Sequence, residues 1–335
     1  MEYLRLFVSR YGWLGLLFAV SLFTVAALPS TLVAQTGAIL SNNSTHPSCL
    51  GEHRGSREDS VGPCPQTQVL VPGSGNQSNR MGLSLAPIVG PQTTPEEARK
   101  QFAKGAHKGY APAQVNLGVL YAYGWGVPQD LGTAFYWIGL AADQGNVQAL
   151  ANMGIFYRNG WGVRQDPAKA FRLFQTAAQA GDVGAMTNLG YAYDQGLGVT
   201  KSPLLAVDWY RRAADRGDAT GQNDLGDMYL RGEGVPQDDK TAFDLFSKAA
   251  NQGNTAACVK LGYMYMTGRA TAKDPETAYM WIKFATLAGD SRGAEYLRPL
   301  SGKLTNAQLK QADERAQSLY VAHSASGVQQ VYVRP

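Results

Sequence analysis

Cysteine, histidine and charge are all scarce in this 335-residue chain. Three cysteines, Cys49, Cys64 and Cys258, are too few for a disulfide framework and lack the paired spacing of a zinc site. Of four histidines, His46 and His53 lie in an unpatterned stretch, His323 lies near the end, and only His107 falls in the patterned region. A Ser/His/Asp or Cys/His constellation is hard to assemble from that supply. Charged residues make up 17%, with a net charge of +4 and no Lys/Arg run, so nothing favours nucleic acid or an anionic surface as a partner. No cofactor, metal or enzymatic activity is expected. Glycine, by contrast, is abundant, at 38 residues where an average chain uses roughly 7%.

The N-terminus is built for export. Arg5 and Arg10 precede an apolar stretch over residues 11–28, and no further charge occurs before Glu52. A basic lead, an apolar run and small residues at Val25-Ala26-Ala27 or Leu32-Val33-Ala34 suit a cleaved signal peptide. The same run is near the ~20 residues that cross a bilayer, so an uncleaved membrane tether fits as well. Either form places the remainder across a bacterial inner membrane, as a periplasmic or secreted protein. Residues 35–94 are more than half Gly, Pro, Ser, Thr, Asn and Gln, the composition of a flexible, disordered linker.

Thereafter one period governs. Gly118, Gly154, Gly190, Gly226 and Gly262 stand 36 residues apart, and three residues after each comes Tyr121, Tyr157, Tyr193, Tyr229 or Tyr265. A Gly-x-Gly-Val turn follows in four copies and fails only at Ala270-Thr271. The fixed period predicts an all-α fold, a right-handed α-solenoid of stacked helix-turn-helix repeats. Within each unit, the helical glycine costs about 1 kcal/mol against alanine, which implies a close approach by the partner helix. Asp130, Asp166, Ser202, Asp238 and Asp274 are placed as N-caps of the second helix, with Pro167, Pro203 and Pro275 directly after three of them.

The solenoid should span 95–300, with five full repeats starting near 113, 149, 185, 221 and 257 and a half repeat at each end. A polar helix over 301–322 would cap it, leaving 323–335 as a loose tail. Trp137, Trp209 and Trp281 fall on core positions, and Trp125 and Trp161 should pack across repeat junctions.

The run from Ala113 to Gly145, Ala-x-x-Asn-Leu-Gly-x-x-Tyr-x-x-Gly-x-Gly-Val-x-x-Asp-x-x-x-Ala-x-x-Trp-x-x-x-Ala-Ala-x-x-Gly, resembles the Sel-one-like repeat (SLR) family, a relative of tetratricopeptide repeats. The resemblance implies an α-solenoid adaptor that assembles protein complexes, often in signalling, envelope or host-contact settings in bacteria. A cysteine-rich branch is linked to penicillin binding and weak β-lactamase activity; this sequence departs from it, having no cysteine pair in any repeat. The expected function is therefore a non-enzymatic envelope scaffold that grips a protein or peptide partner. Cell-wall-related activity and a secreted host-contact role are the alternatives.

In the related tetratricopeptide repeats the residue two before the helical glycine faces a concave groove. Here it is Asn116, Asn152, Asn188, Asp224 and Lys260. Amides in that row can donate to and accept from an extended peptide, or tie neighbouring helices together. Asp224 and Lys260 break the row and suggest exposure. Other positions expected to face the groove vary between copies, with Val119, Ile155, Tyr191, Asp227 and Tyr263 at one and Tyr123, Asn159, Gln195, Arg231 and Thr267 at another, the pattern of a partner-specific surface or of an unconstrained one.

Overall fold

The computed structural model describes residues 94–326, so the export and linker expectations for 1–93, and the tail beyond 326, fall outside it. Within the described residues thirteen α-helices and one short 3₁₀ turn follow one another with no strand. After α1 (Pro95–His107) come five pairs: α2 (Ala111–Tyr123) with α3 (Leu131–Asp143), α4 (Val147–Asn159) with α5 (Pro167–Gln179), and α6 (Val183–Gln195) with α7 (Pro203–Asp215). The last two are α8 (Ala219–Arg231) with α9 (Asp239–Asn251) and α10 (Thr255–Thr267) with α11 (Pro275–Leu287). A lone first helix, α12 (Ala294–Ser301), and the capping helix α13 (Asn306–Ser326) complete the array.

The helix boundaries follow from local chemistry. Asp130, Asp166, Ser202, Asp238 and Asp274 each accept a hydrogen bond from a backbone amide two or three residues on, satisfying one of the donors left open at a helix start. The amide of the same five residues donates to the carbonyl of Tyr121, Tyr157, Tyr193, Tyr229 or Tyr265 at 2.8–3.0 Å. The recurring tyrosine thus fixes the return of the chain, and the rings of Tyr157, Tyr193 and Tyr265 stand edge-on to Phe135, Phe171 and Phe243. First helices begin two residues earlier than the periodicity suggested, because the caps Asn146, Asp182, Asp218 and Asn254 directly follow the glycine that closes the preceding helix.

The helical glycines have the packing reason expected of them. A Cβ on Gly118, Gly154, Gly190, Gly226 or Gly262 would lie 2.5–2.7 Å from Ile138, Phe174, Tyr210, Phe246 or Ile282 of the paired helix. Those five side chains are all but fully buried, so the core runs as a seam between the helices of each pair.

A second contact joins one repeat to the next. The latter glycine of each turn has a positive φ, and a Cβ on Gly162, Gly198 or Gly234 would fall 2.1–2.4 Å from the carbonyl oxygen of Leu131, Pro167 or Pro203, the first residue of the preceding second helix. At the fifth turn Ala270 takes this place with φ 61°, the one non-glycine with positive φ among the described residues. There Arg269 forks onto Asp239 at 2.6 and 2.7 Å, a bidentate bond that holds the Asp239 carboxyl below its ordinary value.

Three expectations need correction. Trp137 and Trp209 pack against the core but are only partly buried, whereas Trp281 is buried. Trp161 stands edge-on to Phe156 of its own first helix, 6.1 Å between centroids. Finally, α13 does not end near 322. It continues to Ser326, because His323 packs on Phe284 and presents Nε2 to the Asn251 carbonyl at 3.0 Å. Ala312 and Ala316, both fully buried, seat the same helix on the end of the array.

Candidate functional site

The first helices present one continuous strip, and the side chains on it bridge from each helix to the next. Arg158 on α4 donates from Nη1 to Oδ1 of Asn188 on α6 at 2.5 Å. Arg231 on α8 lies 3.5 Å from Oδ2 of Asp194 on α6. Lys260 on α10 pairs with Asp227 on α8 and donates to Oδ1 of Asn223 at 2.9 Å. Recurrence every 36 residues brings these positions face to face.

The predicted row of amides divides in two. Asn116 and Asn152 are buried. Asn188 is half-buried and donates to the Gly184 carbonyl of its own helix at 2.9 Å while accepting from Arg158, so it serves the tie between helices. Asp224 and Lys260 are not the exposed pair that the broken row suggested. Asp224 is held by the Asn223 side chain at 2.9 Å, and burial pushes its carboxyl up to about 6, against the opposing pull of Asn223 and Lys260. Lys260, besides its two polar partners, has Nζ 5.3 Å from the centre of the Phe246 ring.

The position after the helical glycine is also divided. Val119 and Ile155 are buried there, whereas Tyr191 and Tyr263 are exposed and Asp227 is half-exposed. The Tyr263 ring has Tyr296 of α12 6.2 Å away, which carries the aromatic surface beyond the fifth repeat. At the remaining predicted position Tyr123 is partly buried, and Asn159 and Arg231 are exposed.

Two positions that bridge neighbouring helices escaped the sequence reading. One is the residue four after the helical glycine, which holds Arg158 and Asp194; the other is the residue three before it, which holds Asn223. Their signal was available, since both positions vary between copies inside an invariant frame. Arg158 is drawn below its ordinary value by burial, with Tyr191 opposing. Asp194 is 5% exposed, and its Oδ1 has no hydrogen-bond partner.

Cys258 is buried, and burial raises its thiol well out of the reactive range. His107 lies edge-on to Trp137. Among the described residues no group of three or more His, Cys, Asp or Glu could hold a metal ion, and no helix is long and apolar enough to cross a membrane. The apolar stretch 11–28 lies outside those residues.

Comparison with known proteins agrees with this geometry. The Sel1 repeat family model matches residues 111–146, 147–182, 183–218, 219–254 and 255–290 in unbroken succession. Among solved structures, c5321, a protective antigen of uropathogenic Escherichia coli displaying an SLR fold, is 39% identical with a TM-score of 0.52. That match covers 69% of this chain but 50% of c5321, so the chain spans half the length of that relative. A Sel1 repeat protein from Oxalobacter formigenes is 30% identical with a TM-score of 0.58, covering 67% of this chain and 94% of that one. No curated protein matches. Proteins of this kind generally act as protein-interaction scaffolds. With five matched repeats over more than half its length, the chain belongs to the Sel1 repeat family.

Proposed function

We propose that this protein is a non-enzymatic scaffold of the bacterial cell envelope that grips a protein or peptide partner on the strip formed by repeats three to five. The observation that carries this reading is the exposure of Tyr191 and Tyr263 at one register position, with Asp227 between them and Arg231 alongside. Tyrosines offer a large apolar face and a polar tip at low cost in side-chain freedom, and tyrosine and arginine are enriched at binding hot spots. The bridges from Arg231 and Lys260 to neighbouring helices hold that surface in one shape before a partner arrives, which lowers the cost of binding.

Export rests on Arg5, Arg10 and the apolar run 11–28. The similarity to a protective antigen supports display outside the cytoplasm, and with it the host-contact alternative.

The test is affinity capture from envelope extracts with the unaltered chain and with a Tyr191→Ala/Tyr263→Ala double variant. A partner recovered by the first should be reduced at least about tenfold with the second, as loss of two hot-spot side chains requires, with unchanged melting. Recovery of the same proteins by both would overturn the reading. Mass-spectrometric sequencing of the mature N-terminus tests export independently.

A further inference from the structure

The carboxylates of the first helices are concentrated on two neighbours. Taken with their caps, α4 and α10 carry one cation apiece, Arg158 and Lys260, and no acid. Between them, α6 and α8 with their caps carry five carboxylates, Asp182, Asp194, Asp218, Asp224 and Asp227, and a single cation, Arg231. All five acids are buried or half-buried. The flanking cations do not settle the imbalance, since Arg158 bonds the Asn188 amide and Lys260 pairs with Asp227. Asp224 is left with the Asn223 amide as its hydrogen-bond donor, and burial raises its carboxyl, which weakens the fold at neutral pH. On the buried Asp194, Oδ2 accepts from Gln195 at 2.8 Å and stands 3.5 Å from Arg231, longer than the roughly 2.8 Å of a charge-assisted bond. Its Oδ1 has no partner.

Both carboxylates face one point. Tyr210 is the only one of the five seam residues with a hydroxyl, and its ring lies against Gly190. Burial first, and then Asp224, Asp194 and Tyr191, push that hydroxyl well above its ordinary value, with Arg231 opposing. The exposed ring of Tyr191 stands at the edge of the same place. Among the described residues no three carboxylates converge as a metal ion needs, so the group that suits the place is a larger cation.

We propose that α6 and α8 seat an arginine side chain of an extended protein partner, its guanidinium joining Asp194 to Asp224 and its stem lying on the Tyr191 ring. A planar fork of N–H donors can span two carboxylates, whereas an ammonium is a point charge. Arg231, which is exposed, gives way to it: Nη1 is already 2.9 Å from Glu233, so a rotation at the end of the side chain moves the guanidinium onto that carboxylate and opens Oδ1 of Asp194. The incoming charge satisfies the two acids that the chain itself leaves short, and fixes the partner's register along the strip. This assignment rests on the reading above, that a partner lies on the strip, and adds the side chain it must bring.

Two peptides test it on the full chain at neutral pH: acetyl-Ala-Ala-Arg-Ala-Ala-amide and its citrulline twin, which keeps the shape and lacks the charge. Backbone amide shifts are followed by NMR. The arginine peptide should bind at least about tenfold more tightly, the scale of a charge-assisted pair against an uncharged one, with the largest shifts in residues 188–195 and 223–231. Asp194→Asn/Asp224→Asn should remove the preference, whereas Asp182→Asn, an equally good cap at the far end of α6, should keep it. Equal binding of the two peptides, shifts centred on other helices, or a preference that survives the double variant or falls as far with Asp182→Asn overturns the proposal. If the double variant unfolds, the two peptides on the unaltered chain, with their shift maps, decide alone. Equal binding alongside a partner lost on Tyr191→Ala/Tyr263→Ala removes the arginine seat and leaves the partner reading standing.

Discussion

Repeats one and two and repeats three to five share one scaffold and differ in what they show on it. Both regions place a glycine against the paired helix, a tyrosine carbonyl on the cap amide and a glycine turn on the neighbouring repeat. On the first-helix strip, however, the early repeats carry Val115, Val119, Ala122 and Ile155, all buried, and the later ones carry Tyr191, Asp194, Asp227, Lys260 and Tyr263. The frame therefore fixes where a side chain points but not whether it meets solvent. That second property depends on chemistry added at positions to which the repeat itself is indifferent.

The sharpest way to break the contrast is to place one charge in both regions. Val119→Asp should cost more than about 3 kcal/mol, because an unpaired carboxylate enters a dry site, whereas Tyr191→Asp should stay within about 0.5 kcal/mol. Urea unfolding of the two variants measures the gap, and similar losses would mean that the two regions are not differently covered.

The carboxylate of Asp224 gives a smaller, pH-dependent contrast. Its folded value of about 6 lies above the ordinary ~3.9 of an unfolded chain. Below about pH 4 both states are protonated and nothing is lost. As pH rises from 4 to 6 the unfolded chain releases its proton first, so this group lowers stability, and the penalty is complete above pH 6. Asp224→Asn should then stabilise by about 2 kcal/mol at pH 8, allowing for partial exposure, and by almost nothing at pH 4. Asp182, whose carboxyl is also raised by burial, remains in both proteins and cancels from the difference. A gain independent of pH would show that packing, not charge, distinguishes this position from Asn116 and Asn152.

The smallest effect lies at the fifth turn, where the later region departs from the common frame. Ala270→Gly should stabilise by about 1 kcal/mol by relieving a left-handed alanine. Thermal unfolding reads the shift, and no gain would mean that the Arg269–Asp239 fork already absorbs the strain.

Most of the fold was legible because its determinants are periodic. Gly118, Tyr121, Asp130 and Gly145 recur in register, and a residue type that returns every 36 positions states its role five times. The site was legible only in part. The frame located the strip and the exposed pair Tyr191 and Tyr263, but partners such as Arg158 for Asn188 and Asn223 for Lys260 lie 30 and 37 residues apart on different helices. No local pattern marks such pairs, since each occurs once. The register also placed Val119 and Ile155 on the groove beside Tyr191 and Tyr263, but both are buried, which corrects that expectation.

The turn glycine resting on the first residue of the preceding second helix has a consequence for how such an array changes length. Gly162 meets Leu131 and Gly198 meets Pro167 through backbone atoms alone. Excision of residues 147–182 would bring Gly198 onto Leu131 and rebuild the same joint without a new side chain. Copies can thus be lost or duplicated in whole units with every seam already fitted, so the reach of the molecule is adjustable by recombination rather than by redesign. Among the described turns after α4, Ala270 marks the one in which this place is not held by glycine, so a joint made there would carry a methyl group in the left-handed region.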